Sequence, residues 1–247
     1  MQKANERTDK AAMELTHVNY SDEGSAIIKD VSGFLPEGKI TTFIGPSGAG
    51  KTTIFRLLNG LISPASGDIH LFGENIQTME PTTLRRTVGI ALQDATMLRG
   101  TVYKNLAMPK TLQNQQLEQE EAEHLLTQVG LDDSFLNRDI TDLSGGQRQK
   151  VSIARTLVNR PKVLLLDEIT SSLDRVSTSD IEHLIQHINQ QYAVTIAWIT
   201  HNLEQALHIG DYTWIMMNGE LIEAGKKDIL KNPADSRVQE FVKGVSQ

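Results

Sequence analysis

The 247-residue chain contains no cysteine. Disulfides, thiolate nucleophiles and zinc–sulfur centres are excluded at once. It also lacks an excess of positive charge: the formal net charge is −7. A nucleic-acid partner, which draws on a basic face, is therefore not expected. No apolar run approaches the roughly 20 residues that a membrane-spanning helix needs. The longest, Val163–Leu166 and Ala193–Ile199, have the length of strands. The start, Met1-Gln2-Lys3-Ala4-Asn5-Glu6-Arg7, carries no apolar signal core, so a cytoplasmic protein is the expectation. There is no internal repeat.

What is present reads as a strand-rich opening, a helical middle and a return to strands. Residues 1–10 are polar and expected to be a loose tail, with 11–247 as one domain. Glu14–Tyr20 alternates like a strand, Ala26–Leu35 reads as a second, and Lys39–Ile44 as a buried third. From Thr101 to about Arg160 the pattern is mainly helical. Val88–Leu92, Val163–Leu166 and Val194–Ile199 are short apolar runs, the last two separated by a helical stretch at Ser179–Gln191. That arrangement predicts a βαβ unit and a parallel sheet buried on both faces. Tyr212–Met217 and Glu220–Glu223 flank Asn218-Gly219, the favoured turn of a β-hairpin. The tail from Lys226 reads as helical and amphipathic.

Three stretches carry chemistry. Gly45-Pro46-Ser47-Gly48-Ala49-Gly50-Lys51-Thr52, followed by Thr53, fits G-x-x-x-x-G-K-[ST] between a predicted strand and a predicted helix. Glycines let the backbone curl so that its N–H groups cradle phosphates. Lys51 brings a point charge to the β/γ-phosphates, and the Thr52 hydroxyl is a ligand for Mg²⁺. The strand Val163–Leu166 ends in Asp167-Glu168. Alone, that pair reads as a solvated strand terminus. Beside a phosphate loop, Asp167 suits the holding of Mg²⁺, directly or through an intervening ligand, and Glu168 suits a general base for water attack on a γ-phosphate. The third stretch is Leu143-Ser144-Gly145-Gly146-Gln147, just before a helix with Val151, Ala154 and Val158 on its apolar side. Ser144 suits an ordinary N-cap; the free N–H groups there also make an anion site.

Together these stretches resemble the ATP-binding cassette ATPases, over roughly Glu14 to Ala224. The resemblance implies an α/β P-loop NTPase: a RecA-like parallel core, an antiparallel β subdomain and a helical subdomain at about 94–160. It implies ATP and Mg²⁺ as cofactors, and a head-to-tail homodimer in which Ser144, Gly145, Gly146 and Gln147 of one copy close on ATP held by Gly45–Thr53 of the other. By the same resemblance Tyr20 stacks on adenine, and Gln93 meets Mg²⁺ and the attacking water. Asp174, in Ser171-Ser172-Leu173-Asp174, touches the opposite copy. His201 bonds the γ-phosphate and orients Glu168. An integral membrane permease is the implied partner, through a groove beside Gln93 to Asn105, with the cassette at the inner face of the cell membrane.

Two positions depart from the family pattern: Ile169 where proline or alanine is common, and Asn202 where aspartate is common. Neither removes a principal catalytic group. Leu166–Asp174 and Trp198–His201 are similar to the bacterial iron-export ATPases and related plant aluminium-tolerance ATPases. The same half-sites occur in soluble assembly ATPases and in DNA-repair ATPases. The latter need a long coiled coil between Gln93 and Leu143, where only about 50 residues lie, without sustained heptads. His183 and His187 have metal-ligand spacing but no third ligand nearby, so a solvated face is expected. Asp132-Asp133 suits a cap or turn, and Glu118–Glu121 a solvated helix face.

Overall fold

The computed structural model describes residues 9–245. Most of the expected N-terminal tail lies outside them. The chain opens with strands β1 (Ala11–Asp22), β2 (Ser25–Pro36) and β3 (Ile40–Ile44), then helix α1 (Lys51–Leu58). Next come β4 (Ser66–Leu71), β5 (Glu74–Asn75), α2 (Pro81–Thr87) and β6 (Val88–Ala91). Three helices follow, α3 (Val102–Thr111), α4 (Gln119–Gln128) and α5 (Gly145–Leu157). The rest is β7 (Val163–Asp167), α6 (Arg175–Tyr192), β8 (Thr195–Ile199), α7 (Leu203–Ile209), β9 (Tyr212–Met217), β10 (Glu220–Lys226) and α8 (Ser236–Val245).

Two sheets result. One has the order β2-β1-β4-β5 and is antiparallel; the other has the order β10-β9-β3-β8-β7-β6. In the second sheet only β10 runs antiparallel to its neighbour. Its strands are apolar on both faces because both faces are covered. Leu164, Leu166, Ile196 and Trp198 pack toward α3–α6, whereas Val163, Leu165, Ala197 and Ile199 pack toward α1 and the antiparallel sheet. This period-two division lets each five-residue strand serve two cores.

Several elements differ from the sequence pattern. The expected hairpin β9–β10 does form, and β9 in addition joins β3 in parallel and extends the central sheet, a pairing that no local pattern announces. Helices α2 and α7, seven residues each, are too short to show a periodic pattern. The C-terminal region is not one helix: β10 runs to Lys226, a 3₁₀ turn covers Lys227–Leu230, and α8 begins only at Ser236. The acidic run is only partly solvated, since Glu121 lies 3.9 Å from Lys110 and 3.7 Å from Arg160. Asp132 does act as a cap, accepting from the Ser134 N–H at 2.9 Å, and His183 and His187 are exposed.

Candidate active site

The parallel strands bring the predicted groups to one edge. β3 runs into Gly45, β7 ends at Asp167 beside Glu168, and β8 leads through Thr200 to His201. β6 ends at Ala91, which pairs with Leu166, so Gln93 leaves the sheet at the same end. In open α/β sheets that carboxyl-terminal edge is where ligands bind.

The phosphate loop is shaped by what its glycines permit. Gly45 has φ +143°, and a Cβ there would lie 1.9 Å from the Met216 carbonyl oxygen. Gly50 (φ +95°) turns the chain into α1, and its space is limited by the Ile28 side chain. Ser47 is exposed and Ala49 buried. Lys51 is almost fully buried, and its Nζ donates to the carbonyls of Gly45 at 2.8 Å and Pro46 at 3.0 Å. Burial holds the Lys51 ammonium below the ordinary lysine range, opposed by the attraction of Glu168 and Asp167. A lysine folded onto its own loop is a cation held ready for an anion. Thr53 lies in the first turn of α1. Tyr20 is half-buried and faces Ile28 across β1–β2, the residue that packs on Gly50.

The Thr52 hydroxyl donates to Asp167 Oδ1 at 3.2 Å. Asp167 is buried, and burial pushes its carboxyl above the usual range; the Thr52 bond pulls the other way, Glu168 adds to the rise, and Arg56 and Lys51 oppose it. A raised folded pKa means that the ionised form opposes folding at neutral pH, a cost relieved as pH falls through that raised value. Asp167→Asn is therefore expected to raise the melting temperature of the nucleotide-free protein by a few degrees at pH 7.5 while impairing turnover. An unchanged or lower melting temperature in a thermal melt would contradict the burial account.

Glu168 adopts φ +51°, unusual for a non-glycine residue. Its N–H donates to the Ile199 carbonyl at 3.1 Å, and its carbonyl accepts from Ser171 N and Oγ. This turn aims its carboxylate at His201, whose Nε2 lies 2.6 Å from Oε1. With Glu168 ionised, the imidazole N–H is the donor. Asn202 accepts from Gln205 N–H and caps α7. The departure from the family pattern at that position thus keeps a capping role.

Ser144 caps α5 in a reciprocal box: its Oγ accepts from Gln147 N–H, and Gln147 Oε1 accepts from Ser144 N–H. Gly145 and Gly146 begin the helix, with Gly146 packed close to Ser177. The ordinary cap is thus formed, and it uses the N–H groups of Ser144 and Gln147. Asp174 caps α6, accepting from Val176 N–H, Ser177 N–H and Ser177 Oγ–H. A cleft of about 300 Å³ lies over Ser144, Gly146 and Gln147, walled by Ser177, Asp180 and Phe135. Among the described residues, no phosphate-loop residue lines it. Within one protomer the structure thus unites Lys51, Thr52, Asp167, Glu168 and His201, and leaves Ser144–Gln147 in a separate cleft.

Sequence reasoning missed the groups that hold the segment carrying Gln93. Asn105, fully buried, accepts from Leu98 N–H and donates to the carbonyls of Leu98 and Thr101. Arg155 of α5 donates to the Thr96 carbonyl at 2.9 Å. Gln93 itself is exposed. A buried asparagine looks like a surface residue in a pattern built on hydropathy. A cleft of about 730 Å³ at the opposite end of the sheet, lined by Phe72, Lys162, Tyr192 and Val194, contains none of these groups.

A family profile described as ABC transporter matches residues 28–171. The chain belongs to the ABC transporter family. YjkB of Bacillus subtilis, whose name describes an ABC transporter ATP-binding protein, is 41% identical over 229 residues, 92% of this chain and 91% of YjkB. The methionine import ATP-binding protein MetN of Mannheimia succiniciproducens is 39% identical over 89% of this chain and 66% of its own length. Among solved structures, cbiO1 of Clostridium perfringens, part of the ABC transporter complex cbiONQ, aligns with a TM-score of 0.81 and 26% identity, covering 95% of this chain and all of cbiO1. The ATP-binding cassette MJ0796, in a dimeric post-hydrolysis state with ADP and Pi, aligns at 0.76 with 25% identity over 87% of this chain and 98% of its own.

As an ABC ATP-binding subunit, the chain is an ATPase that uses ATP with Mg²⁺. The residues fit the metal: a buried carboxylate meets a hydroxyl at 3.2 Å, an all-oxygen set suited to a hard cation. Thr52 and Asp167 would hold Mg²⁺, which supplies charge neutralisation for phosphoryl transfer. No helix among the described residues is long and apolar enough to cross a membrane.

Proposed function

We propose that two copies of this ABC ATPase close head to tail on ATP, and that closure and reopening drive transport through a separate membrane permease. The observation that carries the reading is the separation of the two phosphate-seeking helix starts. Lys51 and Thr52 stand at one, Ser144 and Gly146 at the other, and the cleft over Ser144 and Gly146 contains no phosphate-loop residue. A second copy brings the second start over the first. In this reading Glu168 is the general base, His201 bonds the γ-phosphate, Gln93 meets the metal and the attacking water, Tyr20 stacks on adenine, and Asp174 lies at the dimer seam. The chain from 11 to 247 is one ATPase domain, with a helical subdomain at about 94–160.

Ser144→Arg is expected to leave ATP binding to the protomer within about twofold while abolishing ATP-driven dimerisation, because a bulky cation replaces the small cap that meets phosphate. Light scattering with ATP reads the outcome. A dimer that still forms sinks the head-to-tail arrangement.

The permease partner sits against the segment from Gln93 to Asn105, where Leu98 is exposed, as is Leu92 just before it, and places the ATPase at the inner face of the cell membrane. The cargo we propose is iron, moved outward, on the resemblance of Leu166–Asp174 and Trp198–His201. Co-purification with a multispan membrane protein, followed by a basal ATPase rate that rises with iron, supports both steps. Recovery only with soluble partners rejects the permease and favours an assembly ATPase. Stimulation only by an unrelated solute rejects iron alone.

A further inference from the structure

Gln205 is a buried polar residue outside both the phosphate loop and the Ser144–Gln147 cleft. It is 4% exposed on the short helix that follows His201. Its Nε2 donates to Glu182 Oε1 at 2.7 Å and to Thr170 Oγ1 at 3.2 Å. Its backbone N–H donates to Asn202 Oδ1 at 3.1 Å. Thr170 stands two residues after Glu168, and Asn202 directly follows His201. The bonds therefore close a ring. On one side Glu168 meets His201 at 2.6 Å; on the other, Asn202, Gln205 and Thr170 join the same two loops. Glu182 of α6 anchors the ring to the core.

The orientation of the amide is dictated by its neighbours. A carboxylate only accepts, so the NH₂ end must face Glu182. Gln205 Oε1 is left buried without a donor among the described residues. Folded proteins seldom leave a buried acceptor unpaired. Here the double donation to Glu182 and Thr170 accounts for the orientation that leaves it so.

We infer that Gln205 is a positioning residue for ATP hydrolysis, holding the loop after Glu168 and the helix after His201 at the separation their 2.6 Å contact needs. The inference rests on the roles of Glu168 and His201 given above. Gln205 touches no reacting atom, so its loss changes the rate and spares ATP affinity.

Steady-state ATPase assays on the full chain, with melting curves beside them, test this. Gln205→Leu is expected to lower kcat by about tenfold to a hundredfold, the scale of a small misplacement of reacting groups. KM for ATP should stay within about twofold. Gln205→Glu sets a carboxylate against Glu182 and should also lose turnover. Combining it with Glu182→Gln exchanges donor and acceptor, keeps the net charge, and should restore kcat to within about threefold. Unchanged kcat in a folded Gln205→Leu overturns the inference. If that variant does not fold, the paired exchange decides: failure to regain turnover overturns it equally. Glu168→Gln in the same assay separates the two readings. Retained turnover there removes Glu168 as base, whereas its loss beside a fully active Gln205→Leu removes only Gln205.

Discussion

Replacing Glu168 with glutamine is expected to lower ATP turnover by about three orders of magnitude, the scale of losing the general base proposed above. That corresponds to about 4 kcal/mol of activation free energy. The amide keeps the size of the side chain and an oxygen that His201 Nε2–H reaches, so the 2.6 Å contact of the wild type survives in form. What disappears is the ability to take a proton from water. Lys51, Thr52 and Asp167 are untouched, so ATP binds as before. A nucleotide that binds and is not consumed holds its dimer closed. Single-turnover kinetics and size-exclusion chromatography with ATP read both effects. Near-normal turnover would remove Glu168 as the base, and a variant that stays monomeric with ATP would uncouple binding from closure.

Gly45→Ala is expected to be the most damaging of the small substitutions in the loop. The new Cβ would lie 1.9 Å from the Met216 carbonyl oxygen, a contact that must be relieved by moving backbone. That oxygen belongs to β9, whose Ile215 pairs with Ile44 in the central sheet. No flexible side chain can give way. Strain and overpacking together cost about 3 kcal/mol or more, which lowers the melting temperature by about 6–12 °C for a domain of this size. The loop that receives phosphate also shifts, so ATP affinity falls with stability. Gly24→Ala is the control. Gly24 has φ +82° but nothing within 4 Å of its Cβ position, so only the backbone term of about 1 kcal/mol applies. Equal melting temperatures for the two variants would sink the packing explanation.

The two expectations differ in where their grounds were visible. Glu168 was legible because it ends an apolar strand at fixed order after a phosphate loop. The clash at Gly45 was not, because Met216 is distant in sequence and reaches the loop only when β9 joins β3. Legibility followed locality. Phosphate loop, strand ends and the Asn218-Gly219 turn are local patterns, and each lies where its pattern put it. Gln205 and Asn105 are polar residues whose burial arises from packing by distant elements, and hydropathy assigns such residues to the surface.

By itself the sequence determined most of the order of strands and helices and the family to which the chain belongs, and it nominated the residues proposed to hold ATP and Mg²⁺. It could do so because glycine conformations, apolar periodicity and cap residues act over a few neighbouring positions. Only the tertiary structure decided which groups meet. It placed Thr52 on Asp167 and His201 on Glu168, tied both loops through Gln205, and put Ser144 in a cleft apart from Lys51. Those meetings depend on strand order β3-β8-β7-β6, a non-local choice made by burying both faces of one sheet.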